Sequence, residues 1–103
     1  MDYQLVIQIE AESIDDFDSL IELEDSLSKV VGDSVDVDGH DFGSGEANIF
    51  IITPDPTGTF AILKTELESK GILAKCKVAH RELDGEEYIV LWPEDSTGTF
   101  TVQ

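Results

Sequence analysis

The sequence contains few of the residues from which several common scaffolds and sites are built. Its 103 residues include a single cysteine, so no disulfide can form within the chain. Only six residues are lysine or arginine, too few for a surface that binds nucleic acid or an anionic membrane. The apolar runs are far shorter than the roughly 20 residues that cross a bilayer, and no basic-then-apolar leader opens the chain. We therefore expect a cytoplasmic protein of bacterial type, with neither nucleic acid nor a membrane as its partner.

Acidic residues, in contrast, are abundant and unevenly distributed. There are 23 of them, and the formal net charge is −17. Residues 1–55 carry 15 acids and one base, Lys29, for a charge of −14, whereas residues 56–103 carry eight acids and five bases, for −3. A field of this sign attracts cations or a basic protein. Plain solubility, or a halophilic source, is the alternative interpretation.

The chain is expected to fold as one domain, residues 1–103. Its length is close to the commonest domain size, and a chain this long buries about two-thirds of its unfolded surface. The hydrophobic fraction is 41%, and the acids are interleaved with Val, Ile, Leu and Phe, unlike the acids of a disordered segment.

Hydrophobic periodicity predicts seven secondary structure elements. Gly32 and Gly71 are expected to end the two helices, Asp55 to begin the second, and Asp84-Gly85 to form a two-residue hairpin turn. The predicted strands span 3–9, 33–42, 47–53, 73–82 and 87–92, and the predicted helices 14–31 and 57–70. The predicted core includes Leu5, Ile7, Phe17, Leu20, Leu27, Ile49, Ile51, Phe60, Leu63, Leu67, Cys76 and Val78.

The element order β-α-β-β-α-β-β resembles the ferredoxin-like βαββαβ fold with one strand added at the C-terminal end. The resemblance covers nearly the whole chain and rests on element order alone. It implies an α+β sandwich with a mainly antiparallel sheet and both helices on one face. It also implies that the first and third strands are central and parallel. A fold-level resemblance implies no function.

The stretch "VDVDGHDFGSGE", residues 35–46, has the composition of a metal loop. Aligned as a calcium-binding EF-hand loop, however, it places Gly45 where a bidentate glutamate is required. The alternation of Val35 and Val37 with Asp36 and Asp38 predicts a strand whose solvent face carries the two aspartates. A nonspecific divalent cation between them is the remaining alternative. The glycines then reverse the chain, because the neighbouring acids would repel an anion bound to this turn.

The same stretch offers the residue types of a hydrolase, namely His40, Asp41 and Ser44. Adjacent residues on a strand point to opposite faces, so Asp41 cannot easily orient His40. Cys76 is predicted to face inward and to pack rather than react. His80 is predicted to be a half-buried structural residue, and a zinc site shared with His40 would lack further ligands. We therefore predict no enzyme activity and no cofactor.

The sheet face without helices is expected to carry an apolar patch too large for a solvated monomer. A second copy of the chain, the tail around Phe100, or a partner would cover it. The predicted patch consists of Phe50, Ile52, Tyr88, Val90 and Trp92.

Small acidic domains without a catalytic signature are similar to the immunity proteins of bacterial toxin–immunity pairs and to other antitoxins. That resemblance implies a binding protein that occludes a basic partner, such as a nuclease toxin. The alternative is a homo-oligomeric ferredoxin-like module that binds a small ligand or metal at the subunit boundary. The residues predicted to bind the partner are Asp15, Asp18, Glu22, Asp25, Asp36, Asp38, Asp41 and Glu46.

The metal interpretation has a direct test. We predict that Asp36, Asp38 and His40 form no tight site, because a strand supplies too few converging ligands. Calorimetric titration with calcium and with zinc should show no sub-micromolar binding. Tight binding that Asp38→Ala abolishes would contradict this prediction.

Overall fold

In the computed structural model of the protein, the described residues are 2–10, 17–32, 35–43, 45–85 and 87–92, with the backbone alone described at 17–19, 38, 42 and 43. They form an α+β domain, as expected. Its elements are β1 (Tyr3–Glu10), α1 (Phe17–Val31), β2 (Asp36–Gly43), β3 (Glu46–Thr53), α2 (Pro56–Ser69), a short 3-10 helix (Leu73–Lys75), β4 (Cys76–Glu82) and β5 (Ile89–Trp92). Neither described helix is long and apolar enough to cross a membrane.

The five described strands form one sheet in the order β2-β3-β1-β4-β5. Every pair of neighbours is antiparallel, including β1 and β3. The expectation that the first and third strands are parallel is therefore wrong. The connection through α1 returns β2 in the direction of β1, and the hairpin that follows reverses the chain, so β3 must run against both.

Both helices pack on the same face of this sheet, as predicted. Leu5, Ile7 and Ile9 of β1 are fully buried beneath them. Of the twelve predicted core residues, eleven are buried, and the side chain of Phe17 lies outside the described residues. The predicted helix start at residues 14–16 and the predicted strand start at 33–34 also lie outside them.

The ends of α2 confirm the predicted capping residues. The Asp55 carboxylate accepts a hydrogen bond from the Gly58 amide at 3.1 Å, and a Cβ on Gly58 would collide with that carboxylate. At the other end Gly71 has φ +75°, which places it in the left-handed region. The Ile72 amide then donates to the Leu67 carbonyl at 3.1 Å, and Ile72 packs back on the core.

Two predicted features around β4 are wrong in detail. Residues 73–75 form the 3-10 helix rather than the start of a strand, which leaves Ala74 exposed while Leu73 is buried. The turn after β4 closes between the Gly85 amide and the Glu82 carbonyl at 2.9 Å, one residue earlier than a turn centred on Asp84-Gly85. The Arg81 guanidinium donates to three carbonyls of this loop, and these bonds stabilise the longer connection.

Register shifts interrupt two of the strand pairs. In β2 the shift lies between Val37 and Gly39. In the pairing of β4 with β5, Ala79 lies opposite Val90 and Val78 lies opposite Trp92, so Leu91 is the extra residue. A bulge of this kind moves the residues beyond it to the opposite face of the sheet. The alternation of residues in the sequence therefore assigns the wrong face to residues that lie beyond either shift.

The packing of α2 predicts that alanine substitutions at two neighbouring residues have different effects on stability. Leu63 is fully buried, whereas 47% of its neighbour Ile62 is exposed. Leu63→Ala should lower the free energy of unfolding by about 2–5 kcal/mol, because it removes buried contacts and leaves a cavity. Ile62→Ala should change it by no more than about 0.5 kcal/mol. Urea unfolding measures both, and equal losses would show that α2 does not pack on the sheet as described.

Candidate partner-binding surface

Because of the strand order, the strongly acidic first half of the sequence and the less acidic second half lie on different sides of the sheet. The strands from the acidic first half, β2, β3 and β1, lie together on one side, and β4 and β5 from the second half lie on the other. Five of the six basic residues lie in α2, the 3-10 helix and β4 or, in the case of Lys70, directly after α2. The sixth, Lys29 on α1, pairs with Asp25 at 3.1 Å. The β2 side of the molecule is therefore strongly acidic.

Two of the predicted partner-binding acids lie on the same face of β2. Asp36 and Asp41 are both exposed and lie opposite Ile52 and Asn48 of β3. Both therefore belong to the face of the sheet without helices, because Ile51 and Ile49 face the helix-side core. The side chain of Asp38, at the register shift, lies outside the described residues. The prediction that Asp36 and Asp38 share a face is not tested.

His40 lies on the other face of β2, towards α1. Its Nδ1 is 2.8 Å from Oε2 of Glu24, and each side chain keeps just over a fifth of its surface exposed. His40 and Asp41 thus lie on opposite faces, as argued from the sequence. The pair joins the edge strand to the helix and holds the Glu24 carboxylate above β2.

Glu24 was missed by sequence reasoning, although its position offered a signal. It follows Leu20 by four residues and precedes Leu27 by three, so it continues the stripe of α1 that faces the sheet. A charged residue on such a stripe requires a polar partner. His40 is that partner, and its position depends on the register shift in β2.

The other predicted acids are not part of one surface. Glu22 and Asp25 are exposed on α1, in the helix layer on the opposite side of the sheet from Asp36 and Asp41. Asp15 lies outside the described residues, as does the side chain of Asp18. No single flat partner surface can contact both groups of acids.

Glu46 shares a face with Asp41, one step along the strand pair: it lies opposite Gly43 of β2, whereas Asp41 lies opposite Asn48. It is half-buried at the start of β3, opposite Glu10 of β1. It lines a cavity of about 230 Å3 together with Lys75 and Lys77. Its Oε2 atom is buried and has no hydrogen-bond partner among the described residues. Glu46 is therefore a poor candidate for the exposed acidic surface.

Two of the residues considered for catalysis, Cys76 and His80, are at least partly buried, and burial shifts the pKa of each. Burial raises the pKa of the Cys76 thiol to about 12, and its Sγ donates to the Ile72 carbonyl at 3.1 Å. Burial also lowers the pKa of His80, whose ring lies 5.7 Å from that of Tyr3 on β1. Within the described part of the chain, no three His, Cys, Asp or Glu side chains come close enough to hold a metal ion.

His80 also lines a cavity of about 430 Å3 with Tyr3, Glu87 and Ile89. Its Nδ1 is buried without a hydrogen-bond partner among the described residues. His80 and His40 lie on β4 and β2, three strand spacings apart, or about 14 Å. That separation rules out a metal site shared by the two histidines.

The predicted apolar patch is present in part on the face without helices. Phe50, Tyr88 and Val90 are half-buried and pack against Val6 and Ala79, which have no exposed surface. Ile52 is also half-buried. The tail around Phe100 lies outside the described residues. Whether these residues form an oligomer interface stays a prediction.

Trp92 does not belong to that patch. It packs on the helix side, where its indole N–H donates to the Leu73 carbonyl at 3.1 Å and its ring lies 6.4 Å from that of Phe60. The Lys64 ammonium stands 4.6 Å from the indole centroid. The extra residue Leu91 moves Trp92 to this face, so its predicted position was wrong.

No protein-family model, curated protein sequence or solved structure matches this chain. Its function must therefore be inferred from its own residues, and above all from the acidic β2 side.

The environment of Cys76 predicts very low reactivity in the folded protein. Raising the thiol pKa from 9.0 to about 12 leaves about a thousandfold less thiolate at pH 8. Labelling with a thiol-specific disulfide reagent should be slow in buffer and fast in concentrated urea. Rapid labelling of the folded protein would contradict the described burial.

Proposed function

We propose that the protein is a non-enzymatic binding protein that neutralises a basic protein by occluding it, in the manner of an immunity protein or antitoxin. The observation that supports this is the separation of charge across one sheet. Strands β1, β2 and β3 contain acids and no lysine or arginine, whereas five of the six bases lie on or beside α2, the 3-10 helix and β4. Acids that served solubility alone would need no such segregation.

A nuclease-type toxin is the partner class that fits this surface best. An enzyme that holds a polyanionic substrate carries a basic surface around its active site. An acidic inhibitor is steered to that surface quickly and blocks it by opposing the same charges. Asp36 and Asp41 are the exposed acids of β2 for this role, and Glu24 lies on the other face of the strand beside His40.

We also propose that the first six elements form a ferredoxin-like fold. The order β2-β3-β1-β4, antiparallel throughout, supports this, as do the two helices on one face. The strand β5 is then an addition beside β4. The proposed fold positions the acidic edge and implies no activity of its own.

The alternative, a homo-oligomeric module with a ligand at the subunit boundary, is supported by one observation. Phe50, Tyr88 and Val90 pack against the buried Val6 and Ala79 on the face without helices, and Ile52 is half-buried on the same face. Sedimentation of the purified protein alone separates the two proposals. A stable dimer that Phe50→Ser converts to a monomer favours the module, and a monomer at all concentrations favours the binding protein.

The direct test of neutralisation uses the protein encoded beside this one. If that neighbour is basic and arrests growth when expressed alone, co-expression with this chain should restore growth. The two proteins should also elute together in size-exclusion chromatography at low salt. Growth arrest that persists at full expression, with no shared peak, would contradict the proposed function.

Charge variants predict how such a complex forms. Asp36→Asn/Asp41→Asn should lower the association rate with the basic partner about threefold at low salt and flatten its salt dependence, because exposed charges act mainly on encounter. The matched control is Glu68→Gln/Asp84→Asn, which removes two exposed acids from the second half. Stopped-flow measurement that gives equal rates for wild type and both variants would show that the acids on β2 do not steer a partner.

A further inference from the structure

The acidic strand β2 forms an edge of the sheet. It is eight residues long, and among the described strands only β3 is hydrogen-bonded to it. The backbone N–H and C=O groups on its outer side therefore have no strand partner in the described part of the chain. Edges of this length are either protected against association or used to bind an extended segment.

The side chains along this edge disfavour a second copy of the same chain. If β2 of two copies paired antiparallel about the middle of residues 36–41, Asp36 of each copy would lie beside Asp41 of the other. Like charges in such cross-strand positions are destabilising. Glu24 adds a third carboxylate on the helix side of the strand, held by its contact with His40. The edge is thus guarded against self-association and suits a strand of opposite charge.

The register shift gives this edge a specific charge spacing. Asp36 and Asp41 are five residues apart, so on a regular strand they would point to opposite faces. Because the shift takes up one residue, they lie opposite Ile52 and Asn48, which are four residues apart on the same face. Asp36 and Asp41 are therefore about 13 Å apart along the strand.

We propose that β2 binds an extended basic segment of the partner as an added strand, with two Lys or Arg residues four positions apart on one face. This inference rests on the proposed function and names how the basic partner is held. The backbone hydrogen bonds of the edge supply the pairing, and the aspartates select the charge and the register. No covalent step or cofactor is involved.

The test uses two synthetic peptides of identical composition. The matched peptide has nine alternating Thr and Val residues, with Lys in place of Thr at positions 3 and 7, so both lysines lie on one face. The control peptide exchanges residues 6 and 7 of the matched peptide, so its lysines lie at positions 3 and 6, on opposite faces. Both are capped at their ends. Binding is followed by NMR titration at low salt, and amide hydrogen exchange locates the contact.

We expect the matched peptide to bind at least threefold more tightly than the control and to slow exchange of outward amides within β2. Asp36→Asn/Asp41→Asn should weaken its binding about threefold to tenfold, as the loss of two exposed ion pairs predicts. Glu22→Gln/Asp25→Asn removes the same charge from the outer surface of α1 and should leave the affinity within twofold.

Three results would overturn the proposal that β2 binds an added strand. They are equal affinity for the two peptides, slowed exchange outside β2 only, and no binding of either peptide at low salt. None of them decides the proposed function, which is tested with the intact neighbour protein. The opposite combination is also informative. If the matched peptide binds more tightly than the control but co-expression does not restore growth, β2 binds an added strand and the neutralising role is refuted.

Discussion

The antiparallel pairing of β1 with both β3 and β4 is the constraint on which the rest of the structure depends. It places the N-terminal strand at the centre of the sheet, with the hairpin β2-β3 on one side and β4-β5 on the other. The buried side chains Leu5, Ile7 and Ile9 supply the middle of the core beneath both helices. Since β1 divides the sheet along the boundary between the two halves of the sequence, it also determines where the charges lie.

Local signals in the sequence predicted most of the elements, because propensity, capping and burial agree there. Asp55 and Gly71 act where expected, and Leu63 and Leu67 are buried on the predicted stripe. The faces of β2 and β5 were predicted less well. A register shift depends on how a strand fits its neighbour, and period-two alternation contains no information about it. For that reason Trp92 was assigned to the wrong face and the shared face of Asp36 and Asp41 was missed.

The predicted partner-binding acids show what sequence can and cannot establish about a surface. Composition identifies the acidic half of the chain, yet it cannot say which acids lie together. Glu22 and Asp25 are separated from Asp36 and Asp41 by the sheet, and Glu46 is half-buried beside two lysines. Glu24, which was not selected, comes close to β2 through His40. A surface depends on tertiary packing, so its membership follows from the fold rather than from charge counts.

The central claim is that the acidic β2 side engages a basic protein, and its most direct test is the hydrogen-exchange footprint of the complex with such a partner. The account predicts slowed exchange at residues 36–43, with little change on α2 and β4, where the bases of the second half lie. Slowed exchange confined to α2 and β4, or to strands β1 and β3 through the face without helices, would contradict it.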